Sequence, residues 1–144
     1  MLAWRISNYV DLTGAGGKHK AGRWNHLGTP IVYLSDHPAL CMLEVLVHFD
    51  PEDLPETYQL MSIEVPNELI EADPKLPPDW KTNEIANRDF FQNFCVAEDK
   101  AALRVPSAIM PRCANLLLNP NHPRHAENRI GEVETHPLDP RFRR

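Results

Sequence analysis

A chain of 144 residues, 42% hydrophobic and 24% charged, has the bulk of one folded domain, here 1–144, and its composition excludes wholesale disorder. The net charge of −5 argues against a surface that tracks nucleic acid, which needs clustered Lys and Arg; the one basic run is Arg141, Arg143 and Arg144. Cys41, Cys95 and Cys113 are odd in number and widely spaced, so no disulfide framework is implied. With no signal-peptide pattern and no apolar run near ~20 residues, the expectation is a soluble, cytoplasmic protein without membrane contact.

In chain order, the opening is rich in glycine (Gly14, Gly16, Gly17, Gly22, Gly28) and reads as a loop whose backbone must approach something closely. Thr29 to Ser35 is β-branched and aromatic, a strand. Asp36, His37 and Pro38 start a helix with a capping side chain and a first-turn proline. That helix runs to about His48 and is apolar almost all round, which predicts a buried helix. Thr57 to Val65 alternates as a strand. Thr82 is positioned to cap a second helix reaching about Glu98, with Ala86, Phe90, Phe91, Phe94 and Cys95 as its apolar stripe. Ala102 to Ile109, Asn115 to Leu118 and Arg129 to His136 read as further strands, broken or placed at edges by some of the 14 prolines. Strands interspersed with two helices predict an α+β fold.

Glu44 stands out because it sits between Leu43 and Val45 in a helix nearly free of charge. A buried carboxylate costs several kcal/mol unless paired or protonated. It therefore either occupies a thin solvent stripe or pairs with an arginine, or it lines a cleft facing developing positive charge. Arg23, in Gly22-Arg23-Trp24-Asn25, is either part of a surface turn or a guanidinium presented to phosphate or carboxylate. Tyr33 shares a face with Ile31 if strand alternation holds; it is a core tyrosine or a ring that stacks on a ligand. Ser107 follows Pro106 and suits turn chemistry, with no nucleophile elbow around it. His122 and His125 lack a third ligand, and Pro123 argues against a helical ligand pair, so no metal site is expected. The glycines match neither a P-loop nor a Rossmann fingerprint.

Several blocks agree in order with one family. They are residues 22–35, residues 39–48 around Glu44, residues 102–109 with Val105-Pro106-Ser107, residues 115–123, and Asp139-Pro140-Arg141-Phe142. Across nearly the whole chain this sequence resembles the RES family. The resemblance implies a fold similar to mono-ADP-ribosyltransferase toxins, with a twisted split β-sheet and a few flanking helices around an NAD cleft. It implies a toxin of a toxin–antitoxin module that depletes NAD by glycohydrolysis or phosphorolysis, or else transfers ADP-ribose to a protein. It implies an Xre-like helix-turn-helix antitoxin as partner and allows a homodimer within that complex. On the same ground Arg23, Tyr33 and Glu44 form the catalytic trio, and Arg5, Arg23, Asn25, Tyr33 and Ser107 line the NAD site. NAD is then a substrate, and no cofactor or metal is needed. Arg112 and Cys113 depart from the family, whose members often carry an acidic residue at this point before the Asn.

Overall fold

A computed structural model describes residues 1–144. The strands are β1 (Leu2–Ile6), β2 (Val32–Ser35), β3 (Thr57–Glu64), β4 (Ile70–Glu71), β5 (Ala102–Pro106), β6 (Ala114–Leu118) and β7 (Arg129–Pro137); the helices are α1 (Pro38–His48) and α2 (Glu84–Ala97). The strands form one sheet in the order β4-β5-β6-β2-β1-β3-β7. Neighbours are antiparallel except β4 and β5, which run parallel. The α+β expectation holds. No helix is long and apolar enough to cross a membrane.

The sheet is close to being two. β4-β5-β6-β2 and β1-β3-β7 each have continuous ladders, but β1 and β2 are joined through the single registered pair Trp4 and Ser35. The split accompanies strong curvature. β3 and β4 stand five strand positions apart, about 24 Å on a flat sheet at ~4.8 Å per step. Residues 65–69 alone connect them, a reach of at most about 20 Å even fully extended, and Asn67–Leu69 shortens it by coiling into a 3-10 turn. The two ends of the sheet must therefore approach each other. They do so around a core of Ala3, Val32, Leu34, Met61, Ile63, Val65, Ala102, Leu116 and Leu118, all at most 1% exposed.

The opposite face carries both helices. On it Phe91 from α2 packs with Trp24, Ile31, Leu103, Val105 and Leu117, flanked by Trp80, Phe90, Phe94 and Cys95. The apolar stripe read from the spacing of α2 is thus its buried side. α1 lies across β1 and β2. Its N-terminus is capped by His37, whose Nδ1 accepts the Ala39 N–H at 3.1 Å. Asp36 does something else: its Oδ2 accepts the Ala114 N–H at 3.0 Å and ties β2 to β6.

Four expectations are corrected. The opening is not loop throughout, because Leu2–Ile6 forms a strand paired with Leu60–Glu64. The strand expected over residues 102–109 ends at Pro106, where Ser107 begins a turn. The second helix is capped by Asn83, accepting the Ala86 N–H at 3.0 Å, rather than by Thr82. Finally, α1 is not buried all round: only Leu40 and Cys41 are buried, and Val47 is 58% exposed. One sheet face can cover only one side of a helix, and nothing else in the chain covers the other side.

Candidate active site

The glycine-rich loop is organised by Asn25, which is 1% exposed. Its Oδ1 accepts the Gly22 N–H at 2.8 Å and the Tyr33 hydroxyl at 2.7 Å. Its Nδ2 faces the carbonyls of Lys20 and His26 at 3.1 and 3.2 Å, and those of Gly17 and Thr29 at 3.4 Å. The Trp24 N–H donates to the Tyr33 oxygen at 3.1 Å. Gly22 has to be glycine here, since a Cβ would lie 2.6 Å from the Tyr33 hydroxyl and 2.9 Å from Asn25 Oδ1.

Packing against α2 fixes the outer side of the loop. Trp24 stacks on Trp80, with ring centroids 6.2 Å apart, and meets the edge of Phe90. Arg88 Nε donates to the Gly22 carbonyl at 2.7 Å, His26 contacts Asp89 at 2.6 Å, and Thr29 donates to Gln92 at 2.9 Å. Arg23, thus held, donates through one Nη to the Lys81 carbonyl at 3.0 Å. A guanidinium carries five N–H donors, so most of its fork remains available.

Tyr33 presents its ring, not its hydroxyl. Burial pushes the hydroxyl up to about 12, with the Trp24 N–H pulling the other way, so it stays protonated. The residue as a whole is 37% exposed. Hence the oxygen end is locked in the loop while the ring is open. β2 directs Tyr33 and Ser35 to the helix-bearing face, because Val32 and Leu34 point into the other core. Ser35 pairs with Asn115, whose Nδ2 donates to Ser35 Oγ at 3.2 Å and to the Leu34 carbonyl at 3.3 Å.

Glu44 reaches over this floor from α1. It is half-buried, and burial raises its pKa above the usual carboxylate value; His48, the Asn115 amide and Arg23, in that order, favour the charged form. A partly desolvated carboxylate therefore stands within electrostatic reach of a guanidinium, and the open Tyr33 ring lies on the same sheet face as the Ser35–Asn115 pair beneath that carboxylate. Cys41, beside Ser35, is pushed up to about 11 by burial, so its thiol is a poor nucleophile.

Arg23 lies within electrostatic reach of Glu44, and Tyr33 shares the helix-bearing sheet face with Ser35 and Asn115 beneath it, whereas three other expected residues turn their polar groups to other partners. Arg5 pairs with Met61 on the opposite sheet face, and its Nη1 donates to the Asp11 carbonyl at 2.6 Å. Asn25 is wholly engaged within the loop. Ser107, 7% exposed, accepts the N–H groups of Ile109 and Met110, each at 3.1 Å, and shapes the turn after β5. His122 and His125 are staples: their Nε2 atoms donate to the carbonyls of Glu98 and Leu12 at 2.9 and 2.7 Å. Their Nδ1 atoms accept from the Arg124 N–H and from Asn128 Nδ2. Sequence reasoning did not single out Asn115 and Arg88. Asn115 needed the β2–β6 register to be noticed, and Arg88 needed a contact with Gly22, 66 residues away.

The RES domain family model matches residues 2–139 of this chain. A Pseudomonas putida (strain KT2440) protein named Toxin Res is 43% identical over 145 residues, covering 99% of each chain. A Sphingobium protein named Prs ADP-ribosylating toxin is 38% identical over 153 residues, covering 96% of this chain and 94% of its own. In fold, the chain is similar to a solved structure of the M. tuberculosis MbcT–MbcA toxin–antitoxin complex. The TM-score is 0.73 and the identity 20%, over 99% of this chain and 86% of that one. A split α+β sheet, in a chain alike over almost its full length to proteins named as toxins, is in class a toxin. More narrowly, the chain belongs to the RES domain family.

Proposed function

We propose that this chain is the toxin of a toxin–antitoxin module and acts by breaking the bond between nicotinamide and ribose in NAD. The observation that carries this reading is Glu44: a half-buried carboxylate within electrostatic reach of the Arg23 guanidinium, over the sheet face from which Tyr33 also projects. Such cleavage passes through an oxocarbenium-like state. Nicotinamide leaves as a neutral ring, so no acid has to protonate it, and no metal or cofactor is called for. What remains is electrostatic. Charged Glu44 would accept from the ribose hydroxyls and face the developing cation, in a setting dry enough to strengthen that attraction. Asn115 and Arg23 favour its charged form. Arg23 would take the pyrophosphate with its free donors, and the Tyr33 ring would stack beside nicotinamide.

A second reading is supported by the 38% identity to a protein named as ADP-ribosylating. In it the same cleft breaks the same bond, and a side chain of a target protein accepts the ADP-ribose. For the partner, the fold shared with the toxin of the MbcT–MbcA complex supports an antitoxin. We take it to be an Xre-like helix-turn-helix protein, which would supply the DNA contacts that a chain of net charge −5 is not built to make.

The test is nicotinamide release from NAD by the purified chain, freed of any partner, with and without phosphate, and in lysate with labelled NAD. Free ADP-ribose means hydrolysis, a phosphate-dependent product means phosphorolysis, and label on one protein means transfer. Release in none of these arms sinks the proposal. Ser107→Ala separates a turn residue from a binding one. It should lower stability to urea by about 1–2 kcal/mol, by losing two accepted hydrogen bonds, and change release less than about 3-fold. A much larger drop in release would return Ser107 to the NAD site.

A further inference from the structure

Bond cleavage leaves a second task, on which the catalytic trio is silent: the water that captures the ribose cation must lose a proton. Glu44 is ill placed to take it, because its negative charge is needed against that cation. The Tyr33 hydroxyl is locked between Trp24 and Asn25, and Cys41 is a buried thiol on the sheet-facing side of α1. Arginines cannot act as bases. Of the nearby imidazoles, His26 is in contact with Asp89 and His37 caps α1.

His48 is different. It is the last residue of α1, four after Glu44, and therefore on the same helix face one turn on. It is exposed, and its ring makes no hydrogen bond within the chain. The two side chains are near neighbours on this face, since His48 is the first-named of the groups that favour the ionised Glu44 carboxylate. Imidazole is the side chain suited to accepting a proton near neutral pH.

We propose that His48 is the general base of this cleft, acting on the acceptor after Glu44 has stabilised the cation. This rests on the NAD-cleavage reading above. The carbon–nitrogen bond breaks with its electron pair going to nicotinamide. A water oxygen then bonds to the ribose carbon, and one water proton passes to the His48 imidazole and on to solvent. The products are nicotinamide, ADP-ribose and a proton.

The division of labour gives a signature that a structural role would not. Labelled nicotinamide exchanging back into NAD needs cleavage but no deprotonated water, whereas ADP-ribose formation needs both. In His48→Ala, ADP-ribose formation should fall about 100-fold or more, exchange should stay within about 3-fold of the wild type, and added imidazole should restore hydrolysis. Retained exchange also reports a folded cleft. If exchange is too slow to measure in the wild type, imidazole rescue alone decides, and its failure overturns the assignment. Equal loss of hydrolysis and exchange, or loss of neither, also overturns it. If the wild-type chain releases no nicotinamide at all, it is the NAD reading that has failed, and the role of His48 falls with it.

Discussion

Glu44→Gln is expected to reduce nicotinamide release at least ~100-fold while leaving the KM for NAD within a few-fold. Such a loss corresponds to nearly 3 kcal/mol of transition-state stabilisation at 1.36 kcal/mol per tenfold. Glutamine keeps the shape and one acceptor oxygen, so ribose binding survives; only the charge facing the cation goes. The wild type should also show an acid limb in kcat whose midpoint lies above the usual carboxylate range near ~4.3, because burial, the largest influence on Glu44, disfavours its charged form. The variant should lack that limb.

Stability should move the other way. The folded-state pKa of Glu44 is raised, so the folded protein holds this proton more tightly than the unfolded chain. The stabilisation this provides is fully present below the unfolded pKa and is lost as pH rises through the folded one. Above that window glutamine removes a partly desolvated charge, and Glu44→Gln should be at least as stable as the wild type; below it the difference should shrink. Thermal unfolding at pH 4 and pH 8 checks this. A variant that loses activity and is also clearly less stable at pH 8 would make Glu44 a structural residue.

Asn25→Ala should have the largest effect on stability among single changes at the site. It deprives the Gly22 N–H and the Tyr33 hydroxyl of their shared acceptor, and the carbonyls of Lys20 and His26 of their donor. Orphaned groups that stay buried cost about 1–3 kcal/mol each, and partial solvation of the loosened loop offsets part of the total. A loss of about 3 kcal/mol, or roughly 10 °C in melting temperature, is the expected result. Activity should fall as well, because Arg23 and the Tyr33 ring are placed by the same loop. A loss under about 1 kcal/mol in urea unfolding would show that the packing of Trp24 on Trp80, not Asn25, holds the loop.

The two helices were the most legible part of the fold. Proline and a cap mark where α1 begins, and the four-and-one spacing of Phe90, Phe91, Phe94 and Cys95 names the side of α2 that packs on Leu103 and Leu117. β1 was not legible. Leu2 to Ile6 is a short mixed run beside a glycine-rich stretch, and it becomes a strand only because Leu60 to Glu64 offers it a hydrogen-bonded neighbour. The two-residue β4 exists for the same reason, as partner to Ala102 and Leu103. Asn25 and Ser107 were identified as residues that matter, but their neighbours decide how: both are buried and turned toward backbone groups.

Fold class, the positions of α1 and α2 and the family were legible in the residues alone, and Arg23, Tyr33 and Glu44 stood out there as candidates, because all of these rest on local periodicity and on short blocks of adjacent residues. It took the folded chain to show that Arg5 lies across the sheet from Glu44, that Asn115 stands beside Ser35 under it, and that Arg88 braces Gly22. Those relations depend on strand register and on the curl forced by the short 65–69 connection. A one-residue shift in register would exchange the two faces of a strand without altering its local pattern.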